Sequence, residues 1–215
     1  MKRVLLFASI AIILASCSKP KFELEVNIHN NRSLIDKKFV ITQFIDGNAV
    51  YSDTTKIKKD RFLLKIPYKG SALINITIPM SNINNILMVA EEGRLQLNID
   101  GSKSILGGTV TNERIQAFYN ENDSISLIFD QMDKEYELKL KSDLITPQVN
   151  DEYTTNRREL LKENTDRIIA FIRENIDNPI GEYYFMTRYK TMPYEKKLEM
   201  NGFATEKLRK EFGIQ

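Results

Sequence analysis

The chain has 215 residues, of which 42% are hydrophobic and 28% charged, a composition that suits a globular protein and excludes a disordered or fibrous one. It holds one cysteine, one histidine and no tryptophan. An internal disulfide, a Cys-x-x-Cys redox pair and a Cys/His zinc site each need more such side chains than one chain supplies, so none of them can be built, and no cofactor is expected.

Met1-Lys2-Arg3 is followed by an apolar run from Val4 to Ala15 and then by Ser16-Cys17. A basic start, a short apolar stretch and small residues at its end make a secretory signal peptide, too short to cross a bilayer as a helix. Leu14-Ala15-Ser16-Cys17 resembles the bacterial lipobox. That resemblance implies cleavage before Cys17 and acylation of the new terminus, giving a signal peptide over 1–16, a lipidated tether over 17–21 and a membrane partner reached through lipid. Removing Lys2 and Arg3 leaves 29 basic and 29 acidic residues. With no excess charge and no basic stripe, nucleic acid is not an expected partner. The tether has no aspartate after Cys17 and no acidic cluster like the surface-export signal of Bacteroidota lipoproteins. By the bacterial lipoprotein rule this implies the outer membrane, facing the periplasm.

Residues 22–111 read as strands. Phe22, Leu24, Val26 and Ile28 alternate with Glu23, Glu25 and Asn27; Ala72, Ile74, Ile76 and Ile78 alternate with Asn75 and Thr77; Leu95, Leu97 and Ile99 alternate with Gln96 and Asn98. Asp46-Gly47, Lys69-Gly70, Glu92-Gly93, Asp100-Gly101 and Gly107-Gly108 supply the turns between them. About eight short strands at this spacing predict an antiparallel β-sandwich or barrel.

The period changes at Thr111-Asn112, either of which can cap a helix, and Ile115, Phe118, Ile125, Ile128, Met132, Tyr136 and Leu140 then recur at helical spacing. Pro147 reads as a breaker before a second helix from about Asn150-Asp151, the two forming an antiparallel hairpin. Two shorter helices complete the region 112–215, one starting at Asn178-Pro179 and one over about 204–212, so the fold class expected is α+β. Residues 17–111 hold 13 basic and 9 acidic groups, and residues 112–215 hold 16 and 20. The opposite signs favour docking of one half on the other, though weakly.

Catalytic signals are sparse. His29 sits in a turn-like stretch with no nucleophile beside it in sequence. Gly101-Ser102-Lys103-Ser104 lacks phosphate-loop spacing and context. Asp130, Asp133, Glu135 and Glu137 share their helix with Lys134, Lys139 and Lys141, as on a solvated face. Seven of the nine tyrosines lie in the helical half, with Tyr183, Tyr184, Phe185, Tyr189 and Tyr194 crowded together. They can pack against the sandwich, or form a docking patch for an envelope protein.

Asp53-Thr54-Thr55 and Asp123-Ser124-Ile125 resemble the Asp-Ser/Thr-apolar acceptor of periplasmic O-glycosylation, which makes Thr54 and Ser124 candidate acceptors. Asp53-Thr54-Thr55, Lys59-Asp60-Arg61-Phe62, Val89-Ala90-Glu91-Glu92-Gly93, Gly107-Gly108-Thr109-Val110-Thr111-Asn112 and the stretch from Phe171 to Pro179 together resemble the domain of unknown function 4369, found N-terminal to the thioredoxin domain of Bacteroidota thiol-disulfide oxidoreductase lipoproteins. Asp60 stands where that family usually has glycine. The resemblance implies no thiol-disulfide activity here, because the Cys-x-x-Cys pair belongs to the thioredoxin domain. The expected function is a non-catalytic binding or interaction module on a membrane-anchored periplasmic lipoprotein. The alternatives are an auxiliary to a separate thioredoxin-like oxidoreductase, and a hydrolase with a carboxylate site. Glycan at Thr54 or Ser124 adds mass to natively purified protein beyond chain and lipid, and intact-mass measurement is expected to show that excess disappear in Thr54→Ala or Ser124→Ala.

Overall fold

The computed structural model describes residues 21–67 and 70–214; the signal peptide, Cys17, the rest of the tether before Lys21, and Lys69 of one expected turn lie outside them. Among the described residues are eight strands: β1 (Lys21–His29), β2 (Lys38–Ile45), β3 (Asn48–Lys56), β4 (Arg61–Pro67), β5 (Ala72–Thr77), β6 (Ile86–Ala90), β7 (Arg94–Asp100) and β8 (Lys103–Gly107). Five helices follow: α1 (Val110–Lys141), α2 (Pro147–Glu174), α3 (Pro179–Tyr189), α4 (Tyr194–Asn201) and α5 (Glu206–Phe212).

The strands form two four-stranded sheets in the orders β4-β1-β7-β8 and β3-β2-β5-β6. The arrangement is a sandwich, which decides against the closed barrel. Pairing is antiparallel with one exception, because β1 runs parallel to β7 from Glu23↔Arg94 to His29↔Asp100. Phe22, Leu24, Val26 and Ile28 fill the core from one side, and Phe39, Ile41, Ile74, Ile76 and Met88 fill it from the other. On the outer face of the first sheet Glu23 and Glu25 meet Arg61, Lys65 and Arg94 across three strands. The hydrogen bond from Arg94, set against a smaller desolvation cost, holds the Glu23 carboxyl below its usual range.

Two of the four sheet edges, β6 and β8, are covered by the first turns of α1. Thr109, and neither Thr111 nor Asn112, is the N-cap, its hydroxyl accepting from the Asn112 amide. Asn112 itself is fully buried and acts as a surrogate strand residue: Val89 N–H donates to its Oδ1 and its Nδ2 donates to Val89 C=O, both at 3.0 Å. One turn on, Gln116 Oε1 accepts from Leu106 N–H of β8 at 2.7 Å, and the Tyr119 hydroxyl donates to Leu87 C=O at 3.4 Å. Side-chain amides thus replace the neighbouring strand that an edge lacks. Gly108, at φ +89°, lets the chain turn against β7, where a Cβ would strike the Arg94 carbonyl.

α1 and α2 pack antiparallel. Pro147 starts α2 instead of breaking the chain before it, with the Thr146 hydroxyl accepting from Val149 N–H, so the helix begins three residues earlier than its apolar pattern suggested. Only the base of α1, at Ile115 and Phe118, reaches the sandwich core; Ile128, Leu138 and Leu140 are exposed because the outer half of the hairpin leaves the body. That half is joined by Tyr136 stacked on Tyr153 at 4.0 Å and by Tyr153 donating to Asp133 at 2.7 Å, with Arg157 pairing to the same carboxylate. A second core of Ile169, Ile172, Phe185, Met200 and Leu208 binds α2 to α3, α4 and α5. The helices after the hairpin number three, not two. The extra one, α4, buries only Met200 and so carried no apolar stripe to betray it.

Truncating Asn112 to Ala leaves a buried N–H and C=O of Val89 unpaired. Urea unfolding is expected to give a loss of about 2–4 kcal/mol, against less than about 0.5 kcal/mol for the exposed control Glu159→Ala.

Candidate functional site

The outer face of the second sheet is the apolar exception on this sandwich. Core-facing Ala72, Ile74 and Ile76 alternate with Leu73, Asn75 and Thr77, and of this second set Leu73 and Asn75 face α3. Asn178 aims α3 across it, its side chain accepting from Ile180 N–H and Gly181 N–H. Gly181 lies so close to the Asn175 carbonyl that any Cβ would collide with it, which fixes the angle at which α3 leaves α2.

Between sheet and helix lies a cleft of about 480 Å3, within the size range of small-ligand sites. Phe44, Leu73 and Leu87 form its floor, while Tyr183 and Met186 of α3 form its wall. The polar contribution comes from Asn75, Asn85 and Thr187. Asn85 Oδ1 accepts from the Thr77 hydroxyl at 3.2 Å, and the Thr187 hydroxyl donates to Tyr183 C=O at 2.9 Å. Asn75 differs, because its Oδ1 is buried without a hydrogen-bond partner. A buried unpaired acceptor is costly, and marks a place where a donor belongs.

One end of the cleft is closed by charge. Lys207 donates to Asp46 at 2.6 Å and to Glu182 at 2.7 Å, tying α5 to the β2–β3 turn and to α3. Burial works to lower the pKa of this ammonium, but the two carboxylates outweigh it and hold it above the usual lysine value. Behind the wall, Tyr184 packs edge-on against Phe118 and Phe171, which stack at 3.9 Å. Burial pushes the Tyr119 and Tyr184 hydroxyls up, so Tyr119 stays a neutral donor to the β6 edge.

The crowded aromatic residues are divided among these surroundings. Phe185 is fully buried in the second core, Tyr184 is half-buried between the two cores, and Tyr189 stacks on Phe185 and donates to Asn201. Tyr183 lines the cleft, and Tyr194 is 75% exposed. Thr54 is exposed on edge strand β3; Ser124 is exposed on α1, its hydroxyl donating to Asn120 C=O. Asp133 is engaged by Tyr153 and Arg157, and His29 stands exposed at the end of β1. Asn75, Met186 and Lys207 gave no sequence signal, since an asparagine alternating with isoleucines reads as an ordinary outward position. Among the described residues no group of three His, Cys, Asp or Glu could hold a metal ion, and no helix is long and apolar enough to cross a membrane.

Residues 1–18 match the family model of the prokaryotic membrane lipoprotein lipid attachment site. Residues 22–115 match the model of a domain of unknown function, DUF4369. No curated protein and no solved structure matches the chain. The second match spans the whole sandwich and ends at Ile115, so it takes in the buried Asn112 that joins helix to sheet. The protein is a membrane-anchored lipoprotein of the cell envelope, and its β-sandwich with the first turn of α1 is a DUF4369 domain.

Proposed function

We propose that the protein is lipidated on Cys17 at the outer membrane, faces the periplasm, and serves as a non-catalytic binding module whose ligand site is the cleft between the second sheet and α3. The observation that carries this reading is Asn75: it lines the cleft beside the apolar Phe44, Leu73, Leu87, Tyr183 and Met186, and its Oδ1 is buried without a partner. Such a site favours a compact ligand with an apolar body and one hydrogen-bond donor. Asp46 and Glu182, the carboxylates at the rim, both accept from Lys207 and are held in an ion pair, not free as an acid and a base. Two carboxylates on one ammonium leave a single negative charge there, which favours a neutral or cationic ligand.

N-phenyl-1-naphthylamine, neutral and apolar with one N–H, tests the cleft. Saturable enhancement of its fluorescence is expected, weakened about tenfold in Asn75→Leu, which is about 1.4 kcal/mol for one lost hydrogen bond, and abolished in Met186→Trp with the thermal melt unchanged. Binding that survives Met186→Trp places the dye elsewhere and overturns the assignment. For anchoring, Cys17→Ala is expected to move the protein from the membrane fraction to the soluble fraction of fractionated cells.

A further inference from the structure

The distance from the lipid to the first strand is short. Between Cys17 and Lys21, where β1 begins, lie Ser18, Lys19 and Pro20. Whatever conformation they take, four Cα steps span at most about 14 Å. The polar headgroup layer takes up roughly 6 Å of that on each side of the bilayer. The start of β1 is therefore held within about 8 Å of the membrane surface.

The strand registers identify the end of the sandwich that this pins. Lys21 pairs with Pro67, Glu23 with Arg94, and Glu23 N–H donates to Gly93 C=O, so the β6–β7 turn at Glu91–Gly93 shares that end. Gln43 Nε2 donates to Pro67 C=O and brings the Asp46-Gly47 turn of the second sheet beside it. At the opposite end His29 pairs with Asp100, and Gly101 N–H donates to His29 C=O.

α1 runs from the first end to the second. Asn112 binds Val89 near the pinned end, and Tyr119 binds Leu87 further along β6. Asn120 and Asp123 then line a groove with Ser102 and Lys103 of the far β7–β8 turn. From Ser124 to Lys141 the helix continues beyond the sandwich for about 27 Å at 1.5 Å per residue.

Nothing in the charge pattern pulls this hairpin down. Its outer half mixes Asp130, Glu135 and Glu137 with Lys134, Lys139 and Lys141 and has no basic stripe for anionic headgroups. We infer that the end of the sandwich bearing the β6–β7 and β2–β3 turns faces the lipid surface, and that the α1–α2 hairpin stands away from it as the most distant part of the molecule. This orientation rests on the lipidation of Cys17 proposed above. It puts Glu92 beside the membrane and Ser142 about 50 Å further out, about 23 Å of strand and 27 Å of helix.

Once Cys17 carries lipid, a cysteine introduced elsewhere is the only free thiol, so the acylated full chain can be labelled at one point. Glu92→Cys and Ser142→Cys, both exposed positions, are labelled with a donor fluorophore and reconstituted into phosphatidylethanolamine/phosphatidylglycerol vesicles carrying headgroup-linked acceptor. Energy transfer is expected to be several-fold more efficient from position 92 than from 142. A Gly/Ser insertion of about twelve residues between Lys19 and Pro20 is expected to bring the two efficiencies together. Equal or reversed efficiencies with the native tether, or a difference that survives the insertion, overturn the orientation while leaving anchoring intact. Protein that fails to float with the vesicles overturns the anchoring and the orientation with it.

Discussion

The pair of hydrogen bonds between the Asn112 amide and the backbone of Val89 joins the two halves of this protein. A sandwich of two four-stranded sheets has open edges, and each exposes backbone donors and acceptors that invite pairing with another chain. Here one helix answers two edges at once, through Asn112 and Tyr119 on β6 and Gln116 on β8. These contacts fix the axis of α1, and everything after it inherits that direction. α2 is set by packing along α1, α3 by its collision-limited departure from α2 at Gly181, and the cleft by the place where α3 crosses the sheet.

The outer faces of the two sheets explain why one is left bare and the other covered. Glu23, Glu25, Arg61 and Arg94 make the first sheet self-sufficient in water, since each charge has an opposite neighbour across the strands. The second sheet presents Phe44, Leu73 and Leu87 instead, and that apolar surface needs covering. α3 covers it incompletely. The gap that remains is lined by apolar side chains with a few polar groups, among them Asn75 with its unpartnered Oδ1, and is closed at one end by Lys207 bridging Asp46 and Glu182. A lattice of local packing requirements thus leaves a pocket where the two halves meet, the usual position for a ligand site in a protein of two unlike layers.

The α1–α2 hairpin obeys different rules from the body. Its outer half lacks a core, and is held by stacked Tyr136 and Tyr153 and by one hydrogen bond and one ion pair to Asp133. The apolar periodicity of α1 is real, but burial requires a partner surface. Ile115 and Phe118 find one in the sandwich, while Leu138 and Leu140, on the same helix, face solvent. A short tether at one end of the strands and a long helical hairpin at the other give the molecule a polarity that neither feature has alone.

The sequence by itself determined much of the outline. Period-two alternation in β1, β5 and β7 picked out the core-facing side chains correctly, because a strand side chain has only two directions to take. Glycines at the turns marked the strand ends, and Asn178-Pro179 marked the start of α3, since backbone constraints of this kind act within a few residues. The lipid attachment site lies in contiguous chain and was legible for the same reason. Tertiary structure alone decided the rest. Asn112 looked like a cap and is a buried strand mimic, Pro147 looked like a breaker and opens a helix, and Asn75 looked solvent-facing and lies under α3. Pro147 is settled by its neighbours, the Thr146 cap and Val149, but the roles of Asn112 and Asn75 depend on groups far along the chain, so no local pattern records them: an amide hydrogen-bonds identically to water and to a distant backbone, and only the fold determines which one it meets.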